Sequence, residues 1–253
     1  MSGTELDEPR TGSERRPESR PAAPPAEDAP GFGRTLIVWM LLTVALNGLL
    51  WTTGFRTNGL GIAVEQGAAR AEATRIGEAS EDQIRKAVHT QHDTLSFWTV
   101  LALIGDFVCE PALLGLRALA MATAFAAAAA LVGRPIGYDR ALAECAVAQG
   151  FWVLGLGVRA ALMIGLRRTE VDTSALLLMP PGSYPAPMLL GLSQLDAFAL
   201  LGWWAVGRGG VRRGQVSVLT ALALCLMFWV CESAVRVALG SFLGASMRLS
   251  LLP

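Results

Sequence analysis

The sequence predicts an all-α, polytopic transmembrane helical bundle of about five spans plus a half-helix, and three observations carry that prediction. Long apolar runs fill the chain from about Thr35 to Leu252, among them TLIVWMLLTVALNGLLW and QVSVLTALALCLMFWVC. The composition agrees, at 53% hydrophobic and 17% charged residues with a mean hydropathy of +0.45. Several of the runs approach the roughly 20 apolar residues that a helix needs to cross a hydrocarbon core about 30 Å thick.

The elements follow in order. Residues 1–33 hold seven acids, four arginines and six prolines, with almost no large apolar side chain before Phe32. Such a segment cannot bury enough apolar surface to offset its ordering entropy, so it reads as a disordered cytoplasmic tail. It lacks the early apolar core and cleavage pattern of a secretory signal, which makes Thr35 to Trp51 a retained span. Residues 52–94 turn polar, and AVEQGAARAEATRIGEASEDQIRKAVHTQ interleaves acids and bases among helix formers. A weak apolar stripe of Ala63, Ala69, Ile76, Ile84, Ala87 and Val88, a Glu81/Arg85 pair at i,i+4 and a capping box from Ser80 to Gln83 predict amphipathic helices on the membrane surface.

Leu95 to Val132 would measure roughly 57 Å as one straight helix at about 1.5 Å per residue. That exceeds one crossing, and Pro111 removes a donor and crowds the preceding turn. A break near Glu110 is predicted, with a tilted half-helix before it and a span from Pro111 to Val132 after it; a hairpin of two short spans is the alternative. Further spans run from about Ala141 to Leu166, Met188 to Val206 and Gln215 to Leu239, separated by GRPIGYDR, by a loop broken at Pro180, Pro181 and Gly182, and by GRGGVRRG. Arg34, Arg134, Arg140, Arg208, Arg212 and Arg213 would share one side against Arg167 and Arg168, which places the N-terminus in the cytoplasm of the cell membrane.

Net charge is formally zero, with 20 Arg and one Lys. The basic footprint of a nucleic-acid binder is therefore missing. Cys109, Cys145, Cys225 and Cys231 form no CxxC pair and read as buried small apolar residues. His89 and His92 share a helical face at i,i+3, which is half of a metal site without a third ligand and reads as a solvated pair. No nucleophile elbow, phosphate loop, dinucleotide fingerprint or zinc-protease helix is present, so no cofactor and no enzymatic activity is expected.

Charges inside apolar runs are the candidate functional residues, because burying them in a bilayer is costly. Asp106, Glu110 and Arg117 fall near one face if their helix continues, and Arg117 would neutralise the acids. Glu232 and Arg236 form an i,i+4 pair in the last span. Asp196 lies about nine residues into its span with no charged neighbour at i±3 or i±4, and it needs Arg159 or Arg236 from another helix. Glu144 suits a helix N-terminus, and Arg159 can snorkel. AMATAFAAAAALVG together with Gly150, Gly155 and Gly157 allows close helix approach, within the chain or between copies.

The order of these elements resembles the Yip1 family of multi-pass membrane proteins in its bacterial form. The likeness covers roughly Thr35 to Leu243. It rests on the Leu-Val-Gly turn, Tyr138 and Arg140 before ALAECAVAQGFWVLGLG, on LSQLDAFALLGWWAVGRG as a penultimate span, and on the polar loop after the first span. The chain departs from the family in the spacing of Trp203 and Trp204 to Gly207 and in having no proline soon after Gly150. The resemblance implies a five-span bundle with a cytoplasmic N-terminus that organises membranes or scaffolds protein partners, without catalytic residues. The alternative is a small transporter or channel subunit that uses the intramembrane carboxylates and arginines. Expected partners are the lipid bilayer, other proteins or a second copy of the chain.

Overall fold

The computed structural model describes residues 31–75, 82, 89, 93–134, 137–169, 171, 173–178 and 186–249. Residues 1–30 of the tail, the Ser80 capping box, the Glu81/Arg85 pair and His92 lie outside the described residues. Among those described the architecture is all-helical, and four helices are long and apolar enough to cross a membrane: Phe32–Thr52, Leu95–Leu131, Tyr138–Leu166 and Val218–Gly240.

Helix α1, Phe32–Thr52, has a largely apolar surface, with Ile37, Val38 and Leu41 more than half exposed, as suits a helix wetted by lipid tails. It buries Thr43, Asn47 and Leu50 instead. Its end is set by Gly54, whose φ of 79° is a left-handed conformation that glycine adopts without a Cβ penalty. Helix α2, Phe55–Arg75, follows at once and begins the polar stretch as helix.

Leu95 to Leu131 does not break at Glu110. Helix α3, Leu95–Ile104, passes through a single π turn, Gly105–Cys109, into α4, Glu110–Leu131, as one helix of 37 residues. Pro111 explains the turn. The Glu110 N–H donates to the Gly105 carbonyl five residues back, and in that register the Asp106 carbonyl would next receive the N–H of residue 111, which proline lacks. Asn47 of α1 supplies the missing donor, Nδ2 to the Asp106 carbonyl at 2.7 Å. The helix therefore absorbs its proline by widening one turn and borrowing a side chain, and needs no interfacial half-helix.

Helices α5, Tyr138–Ala148, and α6, Gly150–Leu166, are joined through the fully buried Gln149. Arg167, at φ 53°, closes α6 in the left-handed region. A 3-10 turn, Ala175–Leu178, and a bridge between Ser174 and Asp196 lead on. The expected full span from Met188 to Val206 is two helices, α7, Ala186–Ser193, and α8, Ala197–Arg212. Asp196 divides them as the N-cap of α8, its Oδ1 accepting from the N–H groups of Phe198 at 2.8 Å and Ala199 at 3.3 Å. A capping carboxylate satisfies donors that a through-running helix would not leave free, so the chain starts a new helix there. Helix α9 runs from Val218 to Leu249, ten residues past the expected end.

Close packing concentrates toward the end that carries the turns at Gly133 and Gly214, where Ala118, Met121, Ala122, Phe125, Ala141, Cys145, Trp203, Val206 and Cys225 belong to the buried core. Arg134 donates to the Gly214 carbonyl at 3.0 Å and ties those two turns together. Three alanines of α4, Ala118, Ala122 and Ala129, are fully buried, while Ala112, Ala127 and Ala130 stay exposed. Helices α6 and α8 interlock reciprocally: Trp152 of α6 lies on Gly202 of α8, and Phe198 of α8 lies on Gly155 of α6. A Cβ on Gly155 would come within 2.8 Å of Phe198, and one on Gly202 would overlap the Trp152 ring. Here glycine is required for close approach.

Candidate functional site

The other end of the bundle is less filled and holds most of the ion pairs between helices. The break before α8, the start of α2, the π turn and the middle of α9 surround a cavity of about 700 Å³. Its wall includes Arg56, Asp106, Glu110, Asp196, Glu232 and Arg236. Volumes of roughly 300–1,000 Å³ are typical of small-molecule sites.

Three ion-pair groups build the wall. In the first, Arg56 grips Asp106 with two bonds, Nη2 to Oδ1 at 2.7 Å and Nε to Oδ2 at 2.8 Å, while Trp51 Nε1 donates to Oδ2 at 2.9 Å. Sequence spacing suggests Arg117 as the neutralising partner of Asp106, but the π turn rotates Asp106 toward α1 and α2. Sequence spacing does not single out Arg56. Its place in the polar loop gives no intramembrane signal, although a lone arginine in the first turn after a span is a feature to look for.

In the second group, Arg117, with a side chain only 6% exposed, holds Glu232 by Nη2 to Oε1 at 2.5 Å and Nε to Oε2 at 2.9 Å. Its Nη1 donates to Gln149 Oε1 at 3.4 Å, and its guanidinium stacks 4.5 Å above the Trp152 ring. Glu232 also receives Arg236, at 3.0 Å, in the expected i,i+4 pair. Arg236 Nη1 then stands 3.6 Å from Glu110. The chain Glu110–Arg236–Glu232–Arg117–Gln149 thus links α4 and α9 to the α5/α6 junction. Fork-shaped guanidinium pairs of this kind are the strong form of charged hydrogen bond, and their loss inside a protein leaves a costly lone charge.

The third group is Asp196 with Arg159, Nη2 to Oδ2 at 2.9 Å, and with the Thr173 hydroxyl, which donates to Oδ2 at 2.5 Å. Arg159 is one of the two partners expected from sequence, and Arg236 serves Glu232 and Glu110 instead. Asp196 is therefore not a carboxylate deep in a continuous span. It is a helix cap beside an arginine, at the cavity wall.

Some other sequence candidates fall outside the cavity. Glu144 pairs with Arg213 at the opposite end, and Arg213 also donates to Gln215 at 2.9 Å. His89 pairs with Asp93 at 3.0 Å. Among the described residues no three or more His, Cys, Asp or Glu side chains group as a metal site, and Cys145 and Cys225 are buried while Cys109 and Cys231 are exposed. What the charged end offers chemically is binding, since it presents hydrogen-bonding charge around a space.

Comparison with protein-family models, with curated proteins and with solved structures found no match.

Proposed function

We propose that this is an integral protein of the bacterial cytoplasmic membrane that crosses it five times, with α1, α3–α4, α5–α6, α8 and α9 as the crossings, and that it binds a small polar solute for transport or sensing. The N-terminus faces the cytoplasm in this reading. Arg34, Arg134, Arg140, Arg208, Arg212 and Arg213 support that side by the positive-inside rule. Helix α8, with 16 residues, is short for a span and crosses next to its longer neighbours by starting at the Asp196 cap.

The observation that carries the functional reading is the cavity of about 700 Å³ walled by arginine–carboxylate groups. Charges held in a bilayer are costly and face water-filled or ligand-filled space, and a structural clamp alone would pack them without leaving room for a solute. The scaffold role implied by the Yip1 resemblance is the second reading, supported by the order of the sequence elements.

Native mass spectrometry of the full chain taken from its own membrane separates the two. A small polar molecule retained at one per protein, and released when Arg236 and Glu110 are both replaced by glutamine, which leaves the Arg117–Glu232 pair in place, supports solute binding. A retained protein partner that depends on residues 1–30, with no small molecule, supports the scaffold and overturns the proposal.

A further inference from the structure

We infer that the ligand of this cavity is a zwitterion, a small molecule carrying an oxyanion and an ammonium at once. The inference rests on the solute-binding reading above and adds the ligand's charge class.

Charge balance around the cavity points to this class. Among the described residues the cavity is lined by Arg56, Arg159 and Arg236 and by four carboxylates, and Arg117, behind the wall on Glu232, brings the ion-pair groups to four of each sign. A monoanion or a monocation entering would add one net charge to that balanced set, at a cost that grows as water is displaced. A zwitterion adds none.

The exposure of the individual charges points the same way. The side chains of Arg56, Arg159 and Arg236 are 45%, 44% and 35% exposed, whereas Asp106, Asp196 and Glu232 are covered at 11%, 7% and 23%. Each of these arginines commits Nε and Nη2 to its partners: Arg56 to Asp106, Arg159 to Thr173 and Asp196, Arg236 to Glu232. Nη1 of each has no hydrogen bond among the described residues, and that of Arg236 stands 3.6 Å from Glu110. An oxyanion thus meets open guanidinium donors on Arg56 and Arg159, of the geometry that suits carboxylate and phosphate. Glu110 is the open carboxylate among the described residues of the wall, at 45% exposure, and the 3.6 Å separation makes its pair the loosest. It is the seat for the ammonium.

The same chemistry belongs to free amino-acid-like solutes and to phosphatidylethanolamine headgroups, and the test separates them. The full chain in a nonionic detergent is titrated while its thermal unfolding is followed. The soluble zwitterions are L-alanine, glycine betaine and glycerophosphoethanolamine; acetate and inorganic phosphate are the anions, ethylamine the cation, sucrose the uncharged control, and dioctanoyl phosphatidylethanolamine the lipid. At least one zwitterion is expected to stabilise the protein saturably, with a Kd about tenfold or more below those of the anions and the cation, since one charge-assisted contact is lost in each. Glu110→Gln is expected to bring that zwitterion to the level of the anions, each variant's stabilisation being read against its own unliganded melting temperature. Stabilisation by a soluble zwitterion assigns a solute, and stabilisation by the lipid alone assigns a headgroup.

Acetate or phosphate binding as tightly as every zwitterion overturns the inference. So does the absence of any zwitterion effect. If sucrose or a singly charged probe stabilises the protein in that case, solute binding survives and the zwitterion fails; if no probe does, both fail.

Discussion

The side-chain amide of Asn47 donates to the backbone carbonyl of Asp106 across 2.7 Å, and this bond completes a helix turn that Pro111 leaves short of a donor. Asn47 is only 5% exposed, so its loss orphans a buried carbonyl at a cost of about 1–3 kcal/mol. Asn47→Leu is expected to lower unfolding stability by that amount in detergent. Pro111→Ala restores an N–H, and in its presence Asn47→Leu should cost clearly less. Denaturant unfolding of the two single variants and the double variant measures the coupling.

Arg117 depends on Glu232. Glu232→Gln leaves a guanidinium that is 6% exposed without its carboxylate, and a buried charge stripped of its partner costs about 3–5 kcal/mol. The variant should accumulate poorly in the membrane. Replacing both, Arg117→Met with Glu232→Gln, removes the uncompensated charge and should recover much of the accumulation, read by quantitative immunoblot of membrane fractions.

The α6/α8 contact has no room at Gly202. Gly202→Val pushes a side chain into the Trp152 ring, and overpacking of this kind costs roughly 1–3 kcal/mol. Gly165→Val, with nothing within 4 Å of its Cβ position, should melt like the parent protein. A melting-temperature comparison of the two checks that packing, not helix propensity, is at issue.

Much of this molecule is legible in its sequence, and the misreadings share a cause. The apolar runs announce the long helices because lipid exposure demands apolar side chains all round. The Glu232/Arg236 pair and the Asp196/Arg159 contact follow from spacing and from the need of a buried acid for a cation. Pro111 misleads because periodicity assumes one register, and the π turn changes which face Asp106 shares. Asp196 misleads because hydropathy averages over a capping residue that restarts the helix. Arg56 and Gln149 carry no signal in spacing: one lies in a polar segment and the other in a mixed run, and their roles arise from helices brought together over 30 residues or more of chain.

Arg159 and Thr173 hold Asp196 where it caps α8, at 2.9 Å and 2.5 Å. Asp196→Ala removes both the cap and the partner of Arg159, and a lost cap alone costs about 0.5–2 kcal/mol. Asp196→Asn keeps a capping acceptor and should retain more of the stability while disturbing Arg159. The difference between the two variants in thermal unfolding isolates the cap from the charge.

In the proposed topology the charged cavity opens to the side opposite the cytoplasmic arginines. Ser233 lines it from α9, and Ser233→Cys can be tested in a background where Cys109 and Cys231, the exposed native cysteines, are replaced by alanine. A membrane-impermeant thiol reagent applied to intact cells should label the introduced thiol, and labelling should slow once a bound solute fills the space. Labelling that appears only in inverted vesicles, or in neither orientation while denatured protein reacts fully, would contradict it.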